Sequence, residues 1–333
     1  MKLIISSLLL SVIGIFVSCS GNEKQYTQIH GYAQGTTYNI TYSSAEDLKE
    51  EIDSLLNLFN ESLSNYSEES VISKVNKAKD SITVTDSLFL AFFALSNTIY
   101  TQSDSLFDIS VAHLANAWKF GFKQTESMPD SAKIDSILTF TGLNKISLQG
   151  TLLVKQDSSI AIISNAIAQG MAVDYISMFL DSKQIENYLV EIGGEVRTKG
   201  KNAQDAIWRV GIDLPIEDST KREIKAVVSL TNSSLATSGN YRKFYISGCK
   251  KYSHTINPKT GFPVRHNLLS ATIVTNNCGK ADAYATTCMV KGLEAAKLFI
   301  QEMNINGYLI YEEDGIMKTW MSKETEKLVT QEF

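Results

Sequence analysis

The chain has 333 residues, of which 44% are hydrophobic and 20% are charged, and it contains four prolines. This composition is that of an ordinary globular protein and excludes a disordered chain, a fibrous repeat and a disulfide-dense miniprotein. The formal net charge of −5 lacks the basic excess that is typical of nucleic-acid-binding proteins.

The first eighteen residues have the features of a secretory signal peptide. Lys2 precedes an apolar run over residues 3–17 that is too short to span a bilayer comfortably, and small residues follow it. Cys19 lies where cleavage is expected, and residues 16–19 are similar to a bacterial lipobox, in which the cysteine is lipidated. An incidental cysteine behind an ordinary signal peptide is the alternative. We therefore expect a lipoprotein signal peptide over 1–18, a lipidated tether over 19–27 and one folded domain over 28–333.

Hydrophobic spacing predicts that the N-terminal half is rich in helices. Ile52, Leu55 and Phe59 recur at i, i+3 and i+7, which is the period of an amphipathic helix. Similar patterns predict helices over residues 46–60, 69–78, 86–103, 111–119, 130–140, 165–182, 279–290 and 292–303.

The C-terminal half is predicted to be rich in strands. Period-two alternation, the pattern of a strand, also occurs earlier in the chain, as at residues 38–42. The predicted strands are 38–42, 145–155, 159–163, 187–192, 207–213, 224–230, 241–247, 268–275, 306–312 and 316–321. No proline-rich or serine-rich linker separates the two halves. The sequence therefore predicts one α+β unit rather than two independent domains.

Several common catalytic and metal-binding patterns are absent from the sequence. It has no GxSxG elbow, Walker loop, HExxH or GxGxxG after a strand. None of the four histidines (His30, His113, His254 and His266) pairs with another at zinc-ligand spacing, which leaves oxygen-ligand metals open. Three cysteines follow Cys19, an odd number that permits at most one internal disulfide, and we interpret Cys249, Cys278 and Cys288 as packing residues.

Six segments carry the candidate chemistry: residues 107–121, 165–174, 190–195, 235–241, 254–263 and 281–287. Asp282 and Thr286 are four residues apart and therefore project from one face of a helix. Their oxygens would suit a hard cation such as Mg²⁺; the alternative is that Asp282, near a helix start, interacts with the helix dipole. The Asn-Pro-Lys-Thr-Gly run over 257–261 is by itself a plausible turn.

Together, in this order and behind a lipobox, these segments resemble the FAD:protein FMN transferase family (the ApbE family) over roughly residues 30–320. The most specific matches are His-Thr-Ile-Asn-Pro-Lys-Thr-Gly at 254–261 and Ala-Asp-Ala-Tyr-Ala-Thr at 281–286. The resemblance implies antiparallel sheets flanked by helices, in an α+β fold related to tunnelling-type folds. It also implies an enzyme that splits FAD and attaches FMN through a phosphoester to a threonine of a target protein, releasing AMP.

The resemblance further implies where the enzyme acts. The expected targets are subunits of the sodium-translocating NADH:quinone oxidoreductase or of its Rnf-type relatives, and secreted flavoproteins. The expected location is the periplasm-facing surface of a membrane, to which the Cys19 lipid would anchor the protein.

Site residues are carried over from the family in the same way. The implied Mg²⁺ ligands are the backbone carbonyl of Ala166, the carboxylate of Asp282 and the hydroxyl of Thr286. His254 is implied as the base that activates the acceptor threonine, with a hydrogen bond to a phosphate or ribose as the alternative. The implied FAD-binding residues are Gln34, Tyr66, Asp108, Ile109, Ser110, Gln169, His254 and Ile256.

Two of these positions, and also Ile163, carry further expectations. Tyr66 could stack on a flat ring of FAD or, alternatively, cover the core beneath a loop. Gln169 stands where a lysine is common in the family, and Ile163 stands where aspartate is frequent. These departures weaken the expected contacts with FAD but leave the metal positions intact.

Two other functions remain open at this point. An FAD pyrophosphatase would use the same metal site with water in place of the threonine, and would release FMN and AMP. A non-catalytic lipoprotein that stores FAD is the other alternative, and the presence of Asp282 and Thr286 argues against it.

Overall fold

The computed structural model describes residues 25–122, 128–216, 223–240, 244–247 and 250–333. The predicted signal peptide, Cys19 and Cys249 lie outside these residues. Within them, no helix combines the length and the apolar character that a bilayer crossing requires.

All eight predicted helices are present in the described part of the chain. Several begin at a side chain that accepts a hydrogen bond from the first turn, such as Asp86 from the amide of Phe89 (2.7 Å) and Asn277 from the amide of Lys280 (2.8 Å). The helices are α1 (Lys49–Leu63), α2 (Val71–Lys77), α3 (Ser87–Gln102), α4 (Ala112–Ala117), α5 (Ser131–Leu138), α6 (Ala168–Ser182), α7 (Cys278–Lys291) and α8 (Leu293–Glu302).

An eight-stranded antiparallel sheet forms the centre of the fold, in the order β1-β2-β6-β7-β10-β13-β14-β15. Its strands are β1 (Thr27–Ala33), β2 (Thr36–Tyr42), β6 (Tyr188–Ile192), β7 (Glu195–Lys199), β10 (Ser233–Gly239), β13 (Leu268–Thr275), β14 (Asn306–Glu313) and β15 (Ile316–Met321). Smaller sheets are formed by β3 (Ser81–Thr83), β5 (Leu152–Lys155) and β4 (Ile146–Gln149), by β16 (Val329–Glu332), β9 (Ile224–Leu230) and β8 (Trp208–Asp213), and by β11 (Phe244–Ser247) with β12 (Lys250–Ser253). The predicted α+β class, with antiparallel sheets flanked by helices, is confirmed.

Two strand predictions are wrong in detail. Residues 145–155 form two strands, because the chain turns at Gly150, where φ is +61°. Residues 159–163 do not pair with another strand. Side-chain amides form the hydrogen bonds to this segment that a neighbouring strand would otherwise form. Asn76 donates to the carbonyl of Ile162 (2.9 Å) and accepts from its amide (2.8 Å), while Asn65 donates to the same carbonyl (3.0 Å).

The hydrophobic core is arranged on both faces of the central sheet. The largest cluster runs from Ile29 to Leu309 and buries one face of the sheet beneath α1, α3, α6, α7 and α8. A second cluster packs the other face, including Leu235 and Ile310, against β8 and β9. A third joins α4 and α5 to Ile256. The last cluster matters for the site, because it holds the loop in which His254 lies.

An ion pair connects α6 to the sheet and to the start of α7. The Asp174 carboxylate lies 2.5 Å from Arg197, and it also accepts hydrogen bonds from the amides of Cys278 (3.0 Å) and Gly279 (2.9 Å). Its side chain is 10% exposed, so this carboxylate is largely desolvated. It therefore binds both a cation and the positive end of α7.

Replacing Asp174 by alanine should destabilise the fold by roughly 3 kcal/mol, because Arg197 and two helix N–H groups would lose a partner away from solvent. Chemical denaturation monitored by circular dichroism would measure this change. The exposed pair between Glu324 and Lys327 (2.6 Å) supplies the control. Glu324→Ala should shift the midpoint far less, and equal shifts for the two variants would contradict the role of Asp174.

Candidate active site

A cavity of about 330 Å³ lies at one end of the central sheet. One part of its wall is mostly apolar and comes from the α3–α4 loop, α4 and the neighbouring loops, with Leu106, Phe107, Val111, Phe120, Ile163 and Ile256. The other part is polar and comes from α6, α7 and strand ends, with Gln169, Glu195, Thr237, Ser238, Asp282 and Thr286. The cavity can therefore accept a ligand that has both a flat apolar ring and a polar or charged portion.

The position of Asp282 depends on a close crossing of α6 and α7. Its carboxylate accepts a hydrogen bond from the backbone amide of Gly170 (3.1 Å), and the residue is 6% exposed. Burial raises the pKa of the Asp282 carboxyl to about 7, while the hydrogen bond from Gly170 acts in the opposite direction. A cation in the cavity would favour the ionised form of this buried carboxyl.

The other two predicted metal ligands line the same cavity. Thr286 lies one helical turn after Asp282, and its hydroxyl is 3.1 Å from that of Ser238. Ala166 lies in the turn before α6 and also lines the cavity. No cluster of three or more His, Cys, Asp or Glu side chains suited to a metal occurs among the described residues. The oxygens of Ala166, Asp282 and Thr286 nevertheless match the ligands that Mg²⁺ prefers, so this donor set fits that ion.

His254 is part of the cavity wall and begins a tightly held loop over residues 254–263. The ring of Phe120 meets the His254 ring edge to face, with 6.3 Å between centroids. Further along the loop, the Gly261 amide donates to the Asn257 carbonyl (2.8 Å), and the Trp118 indole donates to the Gly261 carbonyl (2.7 Å). The run over 257–261 is therefore a turn, as predicted, and this turn fixes one wall of the cavity.

Only one residue of the predicted group Asp108, Ile109 and Ser110 lines the cavity. Asp108 does so, and its carboxylate accepts hydrogen bonds from the amide (2.7 Å) and hydroxyl (2.6 Å) of Ser110 and from the amide of Leu143 (3.2 Å). Burial raises the pKa of Asp108, and these hydrogen bonds oppose the rise. Ser110 is buried and supports Asp108, while Ile109 belongs to the main core.

Gln34 and Tyr66 lie outside the cavity wall. Gln34 occupies the β1–β2 turn with φ of +52°, and its buried amide group has no hydrogen-bond partner among the described residues. This turn adjoins the cavity, because the Thr37 carbonyl accepts from the amide of Gly193, which lines it. Tyr66 is 72% exposed, so the alternative in which it covers the core is wrong.

Gln169 and Ile256, two of the implied FAD-binding residues, line the cavity, and so does Ile163. Two of the other histidines lie at hydrogen-bond distance from backbone carbonyls: Nε2 of His113 is 2.8 Å from the carbonyl of Ser159, and Nε2 of His266 is 2.7 Å from that of Met289. Cys278 and Cys288 are buried, free thiols in α7, consistent with packing.

Three residues of the polar wall were not predicted. Glu195 is 7% exposed and follows the Gly193-Gly194 turn, while Thr237 and Ser238 end β10. Their segments were recognised in the sequence. The sequence could not predict that these side chains point into the cavity, because their direction depends on the register of β7 and β10.

Comparison with known proteins identifies related chains. The model of the ApbE family matches residues 34–309. The FAD:protein FMN transferase of Vibrio cholerae is 33% identical over 318 residues, which cover 91% of this chain and 93% of the relative. The FAD:protein FMN transferase of Haemophilus influenzae is 29% identical over 98% of this chain and 99% of the relative. Among solved structures, the flavin transferase ApbE from Vibrio cholerae has a TM-score of 0.83 at 29% identity, covering 91% of this chain and 99% of its own. The apo flavinyl transferase ApbE of Pseudomonas stutzeri has a TM-score of 0.84 at 26% identity, covering 93% of this chain and 98% of its own.

Gly170→Ala should destabilise the protein by about 1–3 kcal/mol, although alanine normally stabilises a helix relative to glycine. A Cβ at this position would lie 2.7 Å from the carbonyl carbon of Cys278 and 2.9 Å from Cβ of Asp282, so the two helices must separate. Thermal unfolding would measure the loss. Met178→Ala, at a position on α6 that is 64% exposed, is the control and should have little effect. A Gly170→Ala variant as stable as the wild type would rule out the close crossing.

Proposed function

Because the chain belongs to the ApbE family, we infer that it is an FAD:protein FMN transferase, the activity named for its curated relatives. The observation that carries this inference is the meeting of His254, Asp282, Thr286 and Ala166 in one cavity. These residues come from three separate segments of the chain. The fold brings them together beside an apolar wall that suits a flavin or adenine ring.

The two parts of the cavity suggest how FAD is bound. A flat ring would contact the wall that contains Phe107, Phe120 and Ile256, where apolar surface is buried. The pyrophosphate would lie towards Asp282 and Thr286. Gln34 would supply an amide at the edge of the site, since a ligand would give this buried group the hydrogen bonds that it lacks in the described chain.

We propose Mg²⁺ as the cation, held by the carboxylate of Asp282, the hydroxyl of Thr286 and the carbonyl of Ala166. When bound, this ion supplies positive charge to the pyrophosphate and orients it. The chain contributes one carboxylate to the set, so the negative charge of the substrate would complete the site. The hydrogen bond from Gly170 holds the carboxylate in place.

The proposed role of His254 is to accept the proton of the acceptor hydroxyl. The oxygen of the acceptor threonine forms a bond to the FMN phosphorus, the bond from that phosphorus to the bridging oxygen breaks, and AMP leaves with the electron pair. The hydroxyl proton passes to a ring nitrogen of His254. Histidine suits this role because its charge changes near neutral pH. A hydrogen bond from His254 to phosphate or ribose is the alternative role.

We further propose that the acceptors are subunits of sodium-translocating NADH:quinone oxidoreductase or Rnf-type pumps, or secreted flavoproteins. The protein would meet them as a lipoprotein on a periplasm-facing membrane surface. Support for the anchor comes from the lipobox-like run before Cys19, with residues 1–18 removed, residues 19–27 as the tether and residues 28–333 as the enzyme.

Mass spectrometry of a threonine-containing acceptor peptide, incubated with the protein, FAD and Mg²⁺, tests the activity. A mass gain equal to one esterified FMN supports the transferase. Free FMN and AMP with an unmodified peptide would instead indicate an FAD pyrophosphatase. Unchanged FAD would indicate a binding protein.

His254→Ala should lower the rate of FMN transfer by roughly 10²–10⁴-fold while FAD binding survives, if the imidazole acts as the base. Single-turnover transfer and fluorescence titration of FAD would measure the two properties separately. His30→Ala, at an exposed position in β1, is the control. Loss of FAD affinity in step with the rate would assign His254 to binding.

Asp282→Asn should raise the Mg²⁺ concentration needed for half-maximal transfer, because it removes the charged ligand while keeping the shape of the side chain. Thr286→Val should have the same effect but more weakly, and EDTA should abolish transfer by the wild type. Thr287→Val is the matched control, since its hydroxyl binds the Ala283 carbonyl (2.8 Å) within α7. Transfer that persists in EDTA would exclude the metal.

Cys19→Ser should release the protein from the membrane fraction or leave the precursor unprocessed, because no thiol remains to be acylated. Fractionation followed by immunoblotting would measure both outcomes. Ser20→Ala, at the next residue, should remain in the membrane fraction. A Cys19→Ser variant that stays there at the mature size would exclude the lipid anchor.

A further inference from the structure

The described chain starts at one end of the central sheet. Gln25 lies beside a depression that is lined by residues following β2 and preceding β6, namely Ser43, Ser44, Ala45, Gln184, Glu186 and Asn187. We refer to this region as the anchor end. Any tether that precedes Gln25 must join the folded domain here.

The cavity lies at the opposite end of the same strands. β6 leads from Asn187 at the anchor end to Gly193 in the cavity wall, and these six residue steps in extended conformation span about 20 Å. α6 gives an independent measure, because it runs from Gln169 in the cavity wall to Ser182 near the anchor end, which is about 20 Å of helix. The two distances agree.

The tether is short in comparison with these distances. From Cys19 to Gln25 there are six residue steps, which span at most about 20 Å when fully extended. A lipidated Cys19 would therefore hold the anchor end within about 20 Å of the bilayer surface. The cavity could approach that surface only if the domain rotated away from an upright orientation on this tether.

Three lysines in the described part of the anchor end are paired with carboxylates. Lys183 lies 3.2 Å from Glu46, Lys199 lies 3.0 Å from Asp181, and Lys201 lies 2.9 Å from Asp205. Because their charges are neutralised in this way, these lysines attract anionic lipid less strongly. The tether, rather than surface charge, would set the orientation.

We propose that the anchor end faces the lipid surface and that the catalytic cavity lies about 20 Å farther from it. The proposal rests on the lipid anchor at Cys19 included in the proposed function. Its consequence concerns the partner: the acceptor threonine must be displayed on a region that stands clear of the lipid headgroups. A threonine at the bilayer surface would not reach the cavity.

Energy transfer from the protein to labelled lipids tests this orientation. Donor dyes would be attached through non-canonical amino acids at Ala45 and at Thr37, near opposite ends of β2, in the full-length lipidated protein on phosphatidylcholine vesicles. The dye at Ala45 should lie about 20 Å closer to the lipid than the dye at Thr37. Equal distances, or a closer Thr37, would overturn the proposal.

Further measurements test the lipid anchor and the tether separately. An acyl group on the Cys19 peptide, detected by mass spectrometry, supports the anchor, and its absence would overturn both the anchor and the orientation. FMN transfer measured in solution tests the transferase independently of the anchor. A 20-residue Gly-Ser insertion after Ser20 should reduce the difference between the two dyes, because a longer tether allows rotation. A difference that survives this insertion, or one that disappears in high salt, would overturn control by the tether.

Discussion

The crossing of α6 and α7 is the constraint on which the site depends. Gly170 has no side chain, so the helices approach closely enough for its amide to bind the Asp282 carboxylate at 3.1 Å. One turn later on α6, Asp174 binds the amides of Cys278 and Gly279 at the start of α7. Two contacts on one face of α6 thus fix both the distance between the helices and the rotation of α7. Asp282 and Thr286 face the cavity as a result.

The remaining walls are held by turns rather than by regular elements. Gly193 and Gly194 both have positive φ, which lets β6 and β7 join tightly at the edge of the cavity. On the other side, Trp118 holds the loop that contains His254 through its hydrogen bond to Gly261. Such rigid support matters, because phosphoryl transfer depends mainly on the positioning of groups and on charge stabilisation. The strands between the two ends of the sheet keep this chemistry away from the point where the chain enters the domain.

The sequence predicted helices better than strands for a physical reason. A helix such as α1 repeats its apolar residues locally, so its period is visible without knowledge of any partner. Strands β7 and β10 carry buried polar residues such as Glu195, Thr198 and Ser234, which hide the alternation. Residues 159–163 show the opposite error. Their apolar extended pattern looked like a strand, but the amides of Asn65 and Asn76 took the place of a neighbouring strand.

For the site, the amino-acid sequence alone determined that Asp282 and Thr286 share a helix face, and that residues 257–261 turn, because both features depend on local spacing. It also supported the resemblance through which His254 and Ala166 were named. Only the tertiary structure decided that these residues meet in one cavity, that Ser110 supports Asp108 from behind, and that Glu195 and Ser238 join the polar wall. The cavity and its polar wall require contacts between separate segments of the chain, and strand register and helix crossing, which set such contacts, are properties of the packed chain.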